Sequence, residues 1–239
     1  MSTLPTASWK NLDADVCAWS NQLTLRLFMT DVVDHSLEVI ESRIVELSKS
    51  EDASDAFRCA DMKEVLRSTA MAFCLSIQSI WERQIRSYLT ECIREQKSVK
   101  YKPEDVQYGA WEKPFAGLRG INPSTFKCYS ELRTMALLAN VCRHGDGKAA
   151  NSLWKTNKEF WPPPLPPIPG LLPMAPLDLS KAPSSMAMVV PAARLRSFAS
   201  AISDFWEEVR YFSLEAIQVK HPSLVAELEL LRTERAKTN

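Results

Sequence analysis

Along most of this chain, apolar residues recur at the three-and-four spacing of a helix with one buried side. Between Asp13 and Ser48 they stand at Val16, Trp19, Leu23, Leu27, Leu37, Ile40, Ile44 and Leu47, which predicts one long helix with those residues facing inward. A small polar turn at Ser50 to Ser54 separates it from a second helix, predicted from about Asp61 to Gln96. Leu66, Phe73, Ile77, Ile80, Trp81, Ile85 and Tyr88 form the inner side of that second helix. Late in the chain, Leu195, Phe198, Ile202, Phe205, Val209 and Phe212 alternate strictly by three and four, the seam of a helix packed in a bundle. A terminal helix from Pro222 to about Arg235 has a weaker face of Leu224, Leu228 and Leu231, suited to fraying or to reaching a neighbouring subunit.

The residues that break helices are concentrated elsewhere. All six glycines lie between positions 109 and 170, and nine of the fifteen prolines lie between 162 and 183. Segment 98–121, with Pro103, Pro114 and three glycines, is expected to be irregular. Asn122-Pro123 reads as an N-cap followed by a first-turn proline, opening a helix over about 123–144 that stops at Gly145. A short helical piece is expected from Lys148 to Lys158. The run Trp161-Pro-Pro-Pro-Leu-Pro-Pro-Ile-Pro-Gly170, continuing to Pro183, excludes helix, because proline removes a donor and clashes with the preceding turn. It predicts an extended connector, either a strap lying over the domain or a docking site for an SH3-like or WW-like partner. Met186 to Val190 follows as a short extended segment.

The predicted architecture is therefore all-α: an up-and-down bundle of four to five main helices with a long Pro-rich crossover. Residues 1–160 form its core, 161–190 the connector and 191–239 the helices that complete the same bundle.

Composition adds mainly exclusions. The chain carries 29 basic and 29 acidic residues, so it has no whole-surface attraction to nucleic acid or anionic membrane, and any such binding needs a local basic patch. No apolar run approaches the length of a spanning helix, and the first ten residues have neither the basic nor the apolar stretch of a secretory leader. The six cysteines form no C-x-x-C pair, which speaks against zinc and a disulfide framework and for buried, reduced thiols in a cytoplasmic protein. No cofactor or metal is expected.

The candidate chemistry is concentrated on the helix before Gly145. Spacings of seven and four residues place Arg133, Asn140 and His144 along one stripe. Those side chains suit cleavage of a phosphodiester without a metal. A neutral imidazole takes a proton from a ribose 2′-hydroxyl, a guanidinium neutralises the phosphate, and an amide orients either group. The alternative is that Asn140 and His144 only close a helix end, where a histidine is favoured near the last carbonyls. Gly145-Asp-Gly-Lys148 lacks the upstream glycine, the following Ser or Thr, and the preceding strand of a phosphate loop, and reads as a helix stop. His35 and His221 have no second ligand at metal spacing.

The run Leu138-Ala-Asn-Val-Cys-Arg-His-Gly-Asp-Gly-Lys148 resembles the motif helix of the HEPN superfamily. Ile80-Trp-Glu-Arg83 and Phe205-Trp-Glu-Glu208 resemble pieces of bacterial proteins of that kind, so the likeness extends over about 60–215. The resemblance implies an all-α, homodimeric protein that acts on RNA in toxin–antitoxin or antiviral defence, as a metal-independent endoribonuclease with an antitoxin or defence-system partner. Its signature is an arginine, a polar residue, three variable positions and a histidine. Asn140 and His144 match, whereas Ala139 stands where the arginine belongs. Arg143 lies next to the histidine but about 100° away around the helix, and Arg133 lies on the same face about 10 Å back. On this reading His144 is the acid/base, Arg143 or Arg133 holds the phosphate and Asn140 positions them. Arg83, Arg86 and Lys148 would border the substrate, or serve as ordinary solvated or paired helix charges. The competing expectation, favoured by Ala139 and the zero net charge, is a helical scaffold or regulatory protein in which such a site has decayed.

Overall fold

The computed structural model of the protein describes residues 9–106, 110–163 and 181–237, and every regular element among them is helical. The helices are α1 (Asp13–Ala18), α2 (Asn21–Phe28), α3 (His35–Ser48), α4 (Ala53–Glu95), α5 (Glu112–Arg119), α6 (Tyr129–His144), α7 (Lys148–Thr156), α8 (Ala192–Glu215) and α9 (Pro222–Lys237). No helix among the described residues is long and apolar enough to cross a membrane. The body of the Pro-rich connector, residues 164–180, lies outside the described residues, and with it the choice between strap and docking site.

The expected helix over Asp13–Ser48 is corrected. It is broken by a turn at Trp19-Ser20, where the Ser20 hydroxyl donates to the Cys17 carbonyl at 2.9 Å, and by a π-helical turn over Met29–Asp34. Its first four expected core residues are instead well exposed, Val16 at 60%, Trp19 at 44%, Leu23 at 49% and Leu27 at 49%. The face that is buried carries Ala14, Asp15 and Ala18, then Leu25, Met29, Val33 and Leu37. The last four follow a spacing of four throughout, which drifts around an ordinary α-helix. The wider π turn absorbs that drift and keeps one face inward. In α1 the phase is set by Asp15, drawn inside by a buried partner described below.

The chain forms two compact units. The first comprises the residues up to Arg26, Ser79–Ser130 and Ser200–Asn239. Its core is aromatic. The Trp81 ring lies 4.8 Å from Phe205, 5.9 Å from Trp206 and 5.4 Å from Trp111, and Phe115 lies 5.3 Å from Phe205. The Trp206 indole N–H donates to the Gln84 side chain at 2.9 Å, so its polar edge is satisfied inside the core. The segment expected to be irregular contains α5, with Pro114 in its first turn, where a proline costs no hydrogen bond. α5 ends on Gly120 at φ +71°, a left-handed cap that glycine adopts without strain. α9 packs on the end of α8 through Leu228, Tyr211 and Leu214, with ion pairs from Arg232 to Glu215 and Arg235 to Glu208.

One buried polar cluster anchors this unit. Arg119 donates to both carboxylate oxygens of Asp15, at 2.9 and 2.8 Å, and its guanidinium stacks 3.7 Å from the Trp9 ring. Tyr88 donates its hydroxyl to the same carboxylate at 2.8 Å, and the Leu12 backbone N–H adds a further bond at 3.1 Å. Glu95 caps α1 by accepting the backbone N–H groups of Asp13 and Ala14 at 2.8 and 2.9 Å.

The second unit comprises Leu27–Gln78 and Glu131–Ala199. Leu37, Cys74, Ile77, Leu132, Met135, Leu138, Leu153, Phe160, Leu195 and Phe198 supply its core. A carboxylate–guanidinium pair, Glu131 with Arg194 at 3.1 Å, joins the start of α6 to the start of α8, and Arg194 also lies over the Phe160 and Phe198 rings. This unit carries α6 from Glu131 onward.

Candidate functional site

The sequence of α6 divides its sides cleanly. Leu132, Met135, Leu138, Ala139 and Val141 are buried, while Arg133, Asn140, Arg143 and His144 are exposed. The helix begins at Tyr129, and the Asn122-Pro123 cap serves a separate turn over Pro123–Thr125, in which the Asn122 side chain accepts the Ser124 N–H at 3.0 Å. α6 stops where Gly145 turns left-handed at φ +72° and donates its N–H to the Val141 carbonyl at 2.8 Å.

Beyond Gly145 the chain docks a strand of connector. The Asp146 carboxylate accepts the Ser185 backbone N–H at 2.6 Å and the Ser184 hydroxyl at 3.4 Å, capping the turn Ser185–Ala187. That backbone bond, followed by the Ser185 and Ser184 side chains, holds the Asp146 carboxyl below its usual range. Asn151 accepts the Ala182 N–H at 3.0 Å, and the Trp161 indole donates to the Ser184 carbonyl at 3.2 Å. Val189 donates to the Phe160 carbonyl at 2.7 Å, and Arg67 donates to the Met186 carbonyl at 2.7 Å. Gly145-Asp-Gly-Lys148 is thus a helix stop and a clasp for residues 182–189. No signal in the sequence marked Asp146 for this role.

The exposed charges that follow are mostly basic: from Arg143 to Glu159 they are Arg143, Lys148, Lys155 and Lys158 against Asp146 and Glu159. Lys158 lies 5.3 Å from the Trp154 ring, which in turn meets Trp161 edge-on at 5.5 Å. Trp161 is buried, so of these two rings only the half-buried Trp154 borders the surface, beside Lys158. A ring such as His144, left open to solvent, is accessible to a substrate hydroxyl.

Arg83 and Arg86 belong to the other unit, on α4, with Arg83 exposed and Arg86 half-buried. The Trp-Glu pieces on which the HEPN likeness also rests are core rather than site, since Trp81, Phe205 and Trp206 are each at most 2% exposed. Glu207 and Glu208 line, with Asp204 and Glu234, a cavity of about 410 Å³ beside α8 and α9. Lys127 and Arg235 line it too, so the wall sets four carboxylates against two cations, a poor match for an RNA backbone.

Compared with known proteins, the chain matches no family model, no curated protein and no solved structure at a significant level. The HEPN likeness therefore rests on the three short pieces of sequence quoted above.

Proposed function

We propose that this protein is a HEPN-like, metal-independent RNA endonuclease of toxin or antiphage defence, working at the exposed end of α6. The observation that carries the reading is the solvent-facing stripe of Arg133, Asn140 and His144, with the exposed cations Arg143, Lys148, Lys155 and Lys158 at and after the end of the same helix. In the reaction, the His144 imidazole takes the proton of a ribose 2′-hydroxyl, and that oxygen attacks the adjacent phosphorus. The bond to the 5′-oxygen breaks, and that oxygen takes the proton back from the His144 imidazolium and leaves as a hydroxyl. The products are a 2′,3′-cyclic phosphate and a 5′-hydroxyl end. Arg143 or Arg133 balances the charge on the phosphoryl oxygens, with Asn140 orienting the reacting groups. The working form is a cytoplasmic homodimer of up-and-down bundles, in which a guanidinium from the second protomer completes the site, under the control of an antitoxin or defence-system protein.

A second reading is favoured by Ala139. At 2% exposure it faces the core at the position where the HEPN signature has its arginine, so the helix offers that guanidinium no route to solvent. On this reading the same cations bind RNA or a partner without cleaving it.

Incubation of the purified protein with total RNA in EDTA separates the two. Cleavage by the wild type that is lost in His144→Ala, with cyclic phosphate ends, supports the enzyme. Equal cleavage by both proteins, or none by either, removes it, and RNA retention without cleavage supports the binding protein.

A further inference from the structure

The cavity of about 410 Å³ beside α8 and α9 lies wholly within the first unit and has the size of a small-ligand site, yet the chemistry of α6 makes no use of it. Its wall has two kinds of surface. Tyr211 and Cys128, 3% and 6% exposed, form an apolar side together with Leu231. Asp204, Glu207 and Glu208 on α8 and Glu234 on α9 form an acidic side. Positions 204, 207, 208 and 211 recur at three and four, so a single stripe of α8 supplies three of the carboxylates and the Tyr211 ring.

The charges in this wall do not balance. Lys127 and Arg235 answer two of the four carboxylates at most. Arg235 is committed to Glu208 at 2.8 Å and lies over the Tyr211 ring at 4.2 Å. Outside the cavity lining, Glu207 accepts from Gln22 at 2.9 Å and pairs with Arg210 at 3.4 Å. Asp204 has neither a hydrogen bond nor an ion pair among the described residues. The buried Cys128 thiol faces the same space, with no hydrogen bond to another residue among those described. Both groups register the surplus of negative charge. Burial, then the Glu207 charge, holds the Asp204 carboxyl above its usual range. Burial, then the Asp204 and Glu208 charges, pushes the Cys128 thiol up to about 12.

We propose that this cavity binds a linear di- or polyamine, its ammonium groups on Asp204 and the neighbouring carboxylates and its methylene chain along Tyr211 and Leu231. A metal ion is the poorer match. Among the described residues, no three His, Cys, Asp or Glu side chains gather closely enough to hold one, and these carboxylates are spread over two helices. Ammonium groups separated by methylenes fit charges that are spread in this way. Each ammonium brings three donors to acceptors that carry charge, which gives the stronger class of hydrogen bond. The methylenes cover the apolar side of the wall, as the stem of a lysine does on a protein surface. Such binding is independent of whether the protein acts on RNA.

The test is a calorimetric titration of the full-length, RNA-free protein with spermidine at low salt, with butylamine and magnesium chloride titrated in parallel. The expected result is saturable binding of one equivalent of spermidine, at least about tenfold weaker in Asp204→Asn. Glu38→Gln, which removes an exposed carboxylate of α3, should bind as the wild type does. Asp204 is exposed, so its replacement spares the core, and an unchanged circular dichroism spectrum and Tm confirm that the variant is folded. The proposal is overturned by a wild type that shows no saturable binding, by undiminished binding in the folded Asp204→Asn protein, or by equal weakening in both variants. Butylamine or magnesium binding as tightly as spermidine overturns it as well.

Discussion

Arg119 and Asp15 meet through two hydrogen bonds, at 2.9 and 2.8 Å, with side chains 0% and 3% exposed. They lie far apart in sequence, yet this pair decides which side of α1 faces inward.

Removing one member of such a pair leaves a buried charge without its partner. Arg119→Met should therefore lower the unfolding free energy by about 3–5 kcal/mol, read from urea denaturation. Adding Asp15→Asn should recover part of that loss. The amide is uncharged; its single oxygen can accept the Leu12 N–H, with its NH2 turned to donate to the Tyr88 hydroxyl oxygen. A double variant no more stable than the single one would show that the ion pair does not set the cost.

The phase of the first helices makes a sharper contrast. Leu25 is 1% exposed and Leu23 is 49% exposed, two residues apart on α2. Leu25→Ala should cost about 2–5 kcal/mol, whereas Leu23→Ala should stay within about 0.5 kcal/mol. Comparable losses from both substitutions would contradict the break at Trp19-Ser20.

For Asp146 the direction of the pH effect follows from its partners. Its carboxyl is held below its usual value, chiefly by the Ser185 backbone N–H, so the charged form is favoured in the folded protein. The stability it supplies is present above about pH 4 and lost as the pH falls through the lowered value. The difference in Tm between the wild type and Asp146→Asn should thus be largest near neutrality and shrink as the carboxylate is protonated in acid. A difference that stays constant over this range would mean that the carboxylate charge contributes nothing.

If the cations after His144 track a phosphate backbone, Lys148, Lys155 and Lys158 each release a counterion on binding. Their replacement by glutamine should weaken single-stranded RNA binding and reduce the log–log salt slope by ~2. An unchanged slope in a fluorescence-anisotropy titration would place the RNA elsewhere.

Much of this fold was legible because local pattern and burial agree. In α8, Leu195, Phe198, Ile202, Phe205 and Val209, read as a seam from spacing alone, are all fully buried. Trp81 and Tyr88, on the inner side of α4 by spacing, are likewise buried. Periodicity failed between Val16 and Leu27, where an ion pair with a residue some hundred positions later and a π turn both shift the helical phase. It failed again at α5, because proline in a first turn looks the same in sequence as proline in a loop. For the site, the sequence indicated which residues share a helix. It carried no sign of the Asp146 clasp, which depends on how distant segments pack.

The clasp has a topological consequence. Because the Trp161–Ser184 and Phe160–Val189 hydrogen bonds and the Asp146 cap hold both margins of the connector, the ring of chain between them is closed from outside its own sequence. The end of α6 is thus fixed by contacts at the two margins, from Asp146, Phe160 and Trp161 to residues 184–189.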